Sequence, residues 1–188
     1  MNKYSIAPLF LIISAIITGK VTAQVNVYDP ITIVVNDICM ISTNTSPAPV
    51  SLTLSTSVAG STVRPVSSSN MFLKASSIAP LGSTRKITAI ASSGTIPQGT
   101  ILKLVAAPCT SINSRGSLGN VISTPIVLSK TISQTLIDGI GSCYTGTSFS
   151  DGYQLTFTWL PDVTNYYQLN ATSDATTLIV SFTITSTN

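Results

Sequence analysis

Thr176-Thr177-Leu178-Ile179-Val180-Ser181-Phe182-Thr183-Ile184-Thr185 alternates with period two near the end of the chain. Leu178, Val180, Phe182 and Ile184 form one row; Ile179, Ser181, Thr183 and Thr185 form the other. Successive side chains of a strand point to opposite faces, so this is the pattern of a strand with one face buried. The same period recurs upstream in Ile31, Ile33 and Val35, in Leu52 and Leu54 among Ser51, Thr53 and Ser55, and in Ile87, Ala89 and Ala91. Residues 125–128, 134–137 and 153–160 complete the set of expected strands. In Ile96-Pro97-Gln98-Gly99 the proline suits the second position of a turn and the glycine a positive φ. That turn predicts residues 85–92 and 100–107 as an antiparallel pair.

No segment repeats its apolar residues at three-four spacing, and β-branched residues dominate the apolar runs. The expected fold is therefore all-β, an antiparallel β-sandwich of about 8–10 strands in a single domain, with a closed barrel as the alternative.

The N-terminus reads as an export leader. Met1 to Tyr4 is a short basic segment, Ile6 to Ile17 is apolar, and Val21 and Ala23 supply small residues before Gln24. Residues 1–23 are expected to be a cleaved signal peptide and 24–188 the mature domain. The apolar stretch of about twelve residues is well short of the roughly twenty that cross a bilayer, so no membrane span is expected after cleavage. A secreted protein is expected, extracellular or at the cell surface, reached through the periplasm if the cell is Gram-negative.

The chemistry available to the chain is narrow. It contains no histidine and no glutamate, and its carboxylates are Asp29, Asp37, Asp138, Asp151, Asp162 and Asp174. Histidine and glutamate supply most general bases and a large share of metal ligands, so the composition argues against an enzyme and for no cofactor and no metal. Without the leader, seven Lys and Arg face those six aspartates, a net charge of about +1 by subtraction. Nucleic acid is not an expected partner, because its recognition needs clustered positive charge. Solubility falls to hydroxyls, Ser and Thr making up about three residues in ten. Asp138-Gly139 and Asp151-Gly152 read as turns.

Three cysteines in an exported chain favour one disulfide and one thiol left over. Cys109 and Cys143 both sit where strands give way to loops and are the expected pair, with Cys39 bonded to one of them as the alternative. Cys39, inside or just after an apolar strand, is expected to be a buried thiol that behaves as a small hydrophobe. Tyr153, Phe157 and Trp159 share one strand face and are assigned to the core. Tyr166 and Tyr167 are left as a candidate platform for a glycan.

The series Arg85-Lys86-Ile87-Thr88-Ala89, Ile96-Pro97-Gln98-Gly99-Thr100-Ile101-Leu102, Ile137-Asp138-Gly139-Ile140-Gly141-Ser142-Cys143-Tyr144-Thr145-Gly146 and Gly152-Tyr153-Gln154-Leu155-Thr156-Phe157, with the closing strand, covers most of the mature chain in order. It resembles a group of uncharacterised exported β-sandwich proteins of Gram-negative bacteria. More loosely, an apolar strand leading into Ile38-Cys39-Met40 is similar to chaperone–usher pilins and spore-coat U-type subunits. Here the next cysteine is Cys109, much further on than in those pilins, and the closing strand lacks their aromatic residue next to last. The resemblance implies a pilin-like structural or adhesive subunit of a fimbrium or surface matrix. Its partners would be itself or other surface subunits, joined by strand addition through Val25, Val27, Ile31, Ile33 and Val35 or through the end strand. The alternative is a monomeric module that binds a glycan or a protein through its loops and Tyr166-Tyr167.

Overall fold

The computed structural model describes residues 30–45, 49–171 and 176–187. The chain divides into two units, Met1–Val34 and Val35–Asn188. In the first, the described residues 30–34 have no regular secondary structure. The expected leader and strand-addition residues Val25 and Val27 lie outside the described residues.

The second unit is all-β, two antiparallel sheets in a sandwich-like arrangement. Among the described residues, seven strands have seven residues or more: β1 (Ile38–Thr45), β2 (Val66–Ile78), β3 (Thr84–Ser93), β4 (Thr100–Ala106), β8 (Gln134–Ile140), β10 (Tyr153–Pro161) and β11 (Ile179–Thr187). Four more have two residues each: β5 (Arg115–Gly116), β6 (Asn120–Val121), β7 (Ile126–Val127) and β9 (Cys143–Tyr144). The larger sheet runs β5-β9-β2-β10-β4-β7, and β1 pairs with β2. Leu73, Phe72 and Met71 have partners in both β1 and β10, so β1 must lie along the opposite side of β2 from β10. The smaller sheet runs β11-β3-β8-β6.

The core forms where the apolar rows of the two sheets meet. Leu73, Leu104, Tyr153 and Leu155 come from the larger sheet, and Ile87, Ala89, Leu136 and Ile137 from the smaller; none is more than 1% exposed. Leu178, Val180, Phe182 and Ile184 pack against this core as a partly buried row, as their alternation predicts. Tyr153 and Phe157 are buried and Trp159 packs beside them. The Tyr153 hydroxyl donates to Leu118 O, which satisfies the one polar atom the ring carries inward.

Four expectations are corrected. The turn at Pro97 forms, with Thr100 N donating to Pro97 O at 3.2 Å and Gly99 at φ 71°, yet it does not make a hairpin. It carries the chain from β3 in one sheet to β4 in the other, because both strands have an apolar row and the rows pack face to face across the core. Residues 51–55 keep their alternation, Leu52 and Leu54 half-buried among exposed Ser51, Thr53 and Ser55, but form no strand. Residues 31–35 likewise form no strand, and Ile31, Ile33 and Val35 are 83%, 83% and 72% exposed. Asp138-Gly139 lies within β8, with Gly139 N bonded to Asp138 Oδ1, and does not reverse the chain.

Candidate functional site

The candidate features are the sandwich's edges and the groups beside them. Among the described residues no three His, Cys, Asp or Glu side chains gather around a metal position, and no helix is long and apolar enough to cross a membrane.

On one side of the sandwich the outermost strands are β1 and β11. They approach each other, Cys39 Sγ lying 4.0 Å from Ile184 O. Arg85 reaches the same place from β3. It begins the inward row Arg85, Ile87, Ala89 and Ala91, and is only 2% exposed. Its Nη2 donates to the Asp37 carboxylate and, at 3.2 Å, to Ile78 O, while its Nε is buried without a partner. Burial pulls the guanidinium's pKa down; the Asp37 carboxylate and the Cys39 thiol more than offset this and leave it above its ordinary value. Cys39 is exposed, which corrects its expected burial. The strand that carries it pairs with β2 alone, so its other edge has no ladder partner among the described residues.

On the other side the sheets end in the two-residue strands β6 and β7. β7 covers only Lys103 and Leu104 of β4, and β6 covers only Asp138 and Ile137 of β8. Two further bonds, Ile122 N to Leu136 O and Leu128 N to Leu102 O, extend that cover. A shallow cleft of about 490 Å³ opens here, lined by Ile122, Pro125, Ile126, Val127, Gln134 and Thr135. The outer edge of β8 at Gln134 and Thr135 has no ladder partner among the described residues.

Tyr166 and Tyr167 stand on a short 3₁₀ turn, Tyr166–Gln168. Tyr167 is 80% exposed and Tyr166 39%. The turn is fixed from beneath: Asp162 accepts from Thr164 N and Asn165 Nδ2, and Asp162 N donates to Gly99 O. The Asn165 hydrogen bond, against a smaller opposing effect of burial, holds the Asp162 carboxyl below its ordinary pKa.

Asp151 ties two loops together. Buried at 3% exposure, it accepts from Ser111 Oγ at 2.5 Å, from Asn113 Nδ2 and from Ser148 N. The Ser111 hydroxyl is the main cause that lowers its pKa, and burial opposes it. A carboxylate with a depressed folded-state pKa gives stability that is present above its unfolded value and lost as pH falls through its folded value. Asp151→Asn should therefore weaken the domain at pH 7 and flatten its loss of stability below the ordinary 3.8. Denaturant midpoints measured at pH 7 and pH 3 test this; equal slopes in both proteins would remove Asp151 from the acid response.

The expected Cys109–Cys143 link is not made in this structure, where all three thiols are free. Cys143 is buried in β9, and burial pushes its pKa up, with Cys109 adding to the effect. Cys109 Sγ lies 4.0 Å from Thr145 O, two residues beyond Cys143. Cys109 thus lies beside the end of the strand that carries Cys143.

Sequence reading had not singled out Arg85 or Asp37. The available signal was the alternation itself, which puts Arg85 in register with Ile87 and hence inside. Compared with protein-family models, curated proteins and solved structures, the chain matches none of them.

Proposed function

We propose that this protein is an exported structural or adhesive surface subunit that associates by β-strand addition, with Ile31, Ile33 and Val35 of one copy adding to a sheet edge of another. The observation that carries the reading is the state of that run. It is apolar and alternating, it leads directly into β1, and it stands exposed without a ladder. Such a segment gains main-chain hydrogen bonds and apolar cover only by finding an edge. The weakly covered edge of β8 beside the 490 Å³ cleft is the acceptor this reading favours. Residues 1–23 act as a leader, and Cys109 and Cys143 form the internal disulfide of the exported form. The absence of histidine and glutamate keeps catalysis out of this reading.

Removing residues 24–34, which precede the compact unit beginning at Val35, tests it. The mature chain should give concentration-dependent oligomers by light scattering and filaments by electron microscopy; the shortened chain should remain folded and monomeric. A mature chain that stays monomeric at high concentration overturns strand addition. The 80% exposure of Tyr167 favours one second reading, a glycan-binding module. Binding of an oligosaccharide by that monomer, lost in Tyr167→Ala, would establish it.

A further inference from the structure

The outer face of the larger sheet differs from the rest of the sandwich in charge and in aromatic content. Residues directly opposite in an antiparallel ladder share a face, so register fixes which side chains stand there. Met40 of β1, Ser76 of β2, Tyr144 of β9 and Arg115 of β5 form one outward row, and all four are exposed. Two residues along β2 from Ser76 comes Lys74, and two further comes Phe72. The Phe149 ring, 47% exposed, meets Phe72 edge-on with centroids 5.8 Å apart. Along β2, Lys74 therefore stands between the level of Tyr144, itself 50% exposed, and that of the Phe72–Phe149 pair.

The cations of this face have no carboxylate beside them. Lys74 Nζ donates to Thr147 O, and Arg115 Nη1 to Ile112 O and Ser114 O, neutral groups that leave both charges uncompensated. The four aspartates among the described residues all lie elsewhere. Asp37 pairs with Arg85, Asp138 belongs to the smaller sheet, Asp151 is buried against Ser111 and Asn113, and Asp162 holds the tyrosine turn. The smaller sheet is mixed by comparison: Lys86, between the inward Arg85 and Ile87, shares its outer face with the exposed Asp138.

We propose that the outer face of the larger sheet binds a linear acidic polysaccharide, its uronate carboxylates meeting Lys74 and Arg115 and its rings lying on Tyr144 and Phe149. Uncompensated positive charge selects an anion, and exposed aromatic rings select a partner with apolar ring faces. Lys74 and Arg115 are about 12 Å apart, two strands over and two residues along, a spacing that suits the separated charges of a uronate chain. Nucleic acid, with its dense phosphates, requires a larger cluster of Lys and Arg. The inference is independent of strand addition, which uses ladder edges and not this face.

Titration of the full mature chain with hexagalacturonate and with its methyl ester, the same rings without charge, tests it. At low salt the acid should bind at least about fivefold more tightly than the ester, the factor for one unit charge at contact distance in water, and the preference should shrink as salt rises. Lys74→Gln and Arg115→Gln should each weaken the acid by about that factor and leave the ester unchanged. Tyr144→Ala should weaken both forms, and Lys86→Gln neither. Equal affinity for acid and ester on the unaltered chain overturns the proposal whether or not any variant folds. So does the absence of binding at millimolar concentration, an equal loss in Lys86→Gln, or equally tight binding of an oligothymidylate of the same charge. Binding lost in Tyr167→Ala but kept in Tyr144→Ala places the glycan on the tyrosine turn and overturns this face.

Discussion

Gly152→Ala should destabilise the domain by at least about 3 kcal/mol, the sum expected when a left-handed backbone is forced on an alanine and its methyl group has nowhere to go. Gly152 adopts φ 110°, and a Cβ there would lie 2.5 Å from Leu73 O and 2.9 Å from Leu73 C. Neither atom belongs to a flexible side chain. Leu73 is fully buried at the centre of β2, where its backbone pairs with Tyr153, the residue after the glycine. Relief would require β10 to move away from β2 at the point where both enter the core. Asp151, immediately before, is held by Ser111, Asn113 and Ser148, so the loop cannot simply swing outward. Against a total stability of 5–15 kcal/mol for an ordinary domain, such a loss should be plain in a denaturant midpoint. A loss under about 1 kcal/mol would mean that the loop rearranges at little cost and that the close approach does not set the register of β10 on β2.

What the sequence made legible was the set of apolar rows, because burial of one face imposes period two wherever it occurs. The rows through Ile87, Leu104, Leu155 and Phe182 all pack as that period requires. It does not say which strands pair. Strands β3 and β4, joined by a good turn, belong to different sheets, and nothing local distinguishes a hairpin from a crossing between layers. The longest strand, β2, went unread because its inward positions include Ala75 and Ser77, and Ser67 to Ser69 look like a loop. Small residues suffice there since neighbouring strands supply the bulk.

The candidate site was legible only in part, for a related reason. The apolar run at Ile31 to Val35 was visible, but alternation alone predicted its burial. An exposed run keeps the same pattern as a buried one, because in either case the pattern suits pairing with a sheet. Arg85 and Asp37 were missed because a charged residue in a strand is ordinarily placed on the wet face. Their pairing depends on the long-range meeting of β3 with the chain just before β1, which no spacing in the sequence encodes. Tyr166 and Tyr167, by contrast, were separable from the strand aromatics by their position beyond β10, and Tyr167 does stand out in solvent.

Oxidation of Cys109 and Cys143 to a disulfide should raise stability by about 3–4 kcal/mol, the chain-entropy value for closing a loop of about 35 residues. The elements that carry both cysteines are held in place by their neighbours. Cys143 is held in β9 between β2 and β5, pairing with Ser77 and Gly116, so its position is set by two neighbours. Cys109 lies in the loop after β4, already close to Thr145 O, and the same loop is tied to Asp151 through Ser111 and Asn113. The bond would therefore close on a loop that is in place before the sulfurs join. Because a third thiol could divert the bond, the comparison is made in Cys39→Ser, oxidised and reduced, by denaturant unfolding with peptide mapping of the linked product. The oxidised form should unfold at a distinctly higher midpoint, and in the natural chain the linked peptides should contain residues 109 and 143. A change below about 1 kcal/mol would show that the bond strains the native loop by nearly as much as it restricts the unfolded chain. Recovery of Cys39 in the linked peptide from the natural chain would overturn the pairing itself and leave no free thiol at the β1 edge.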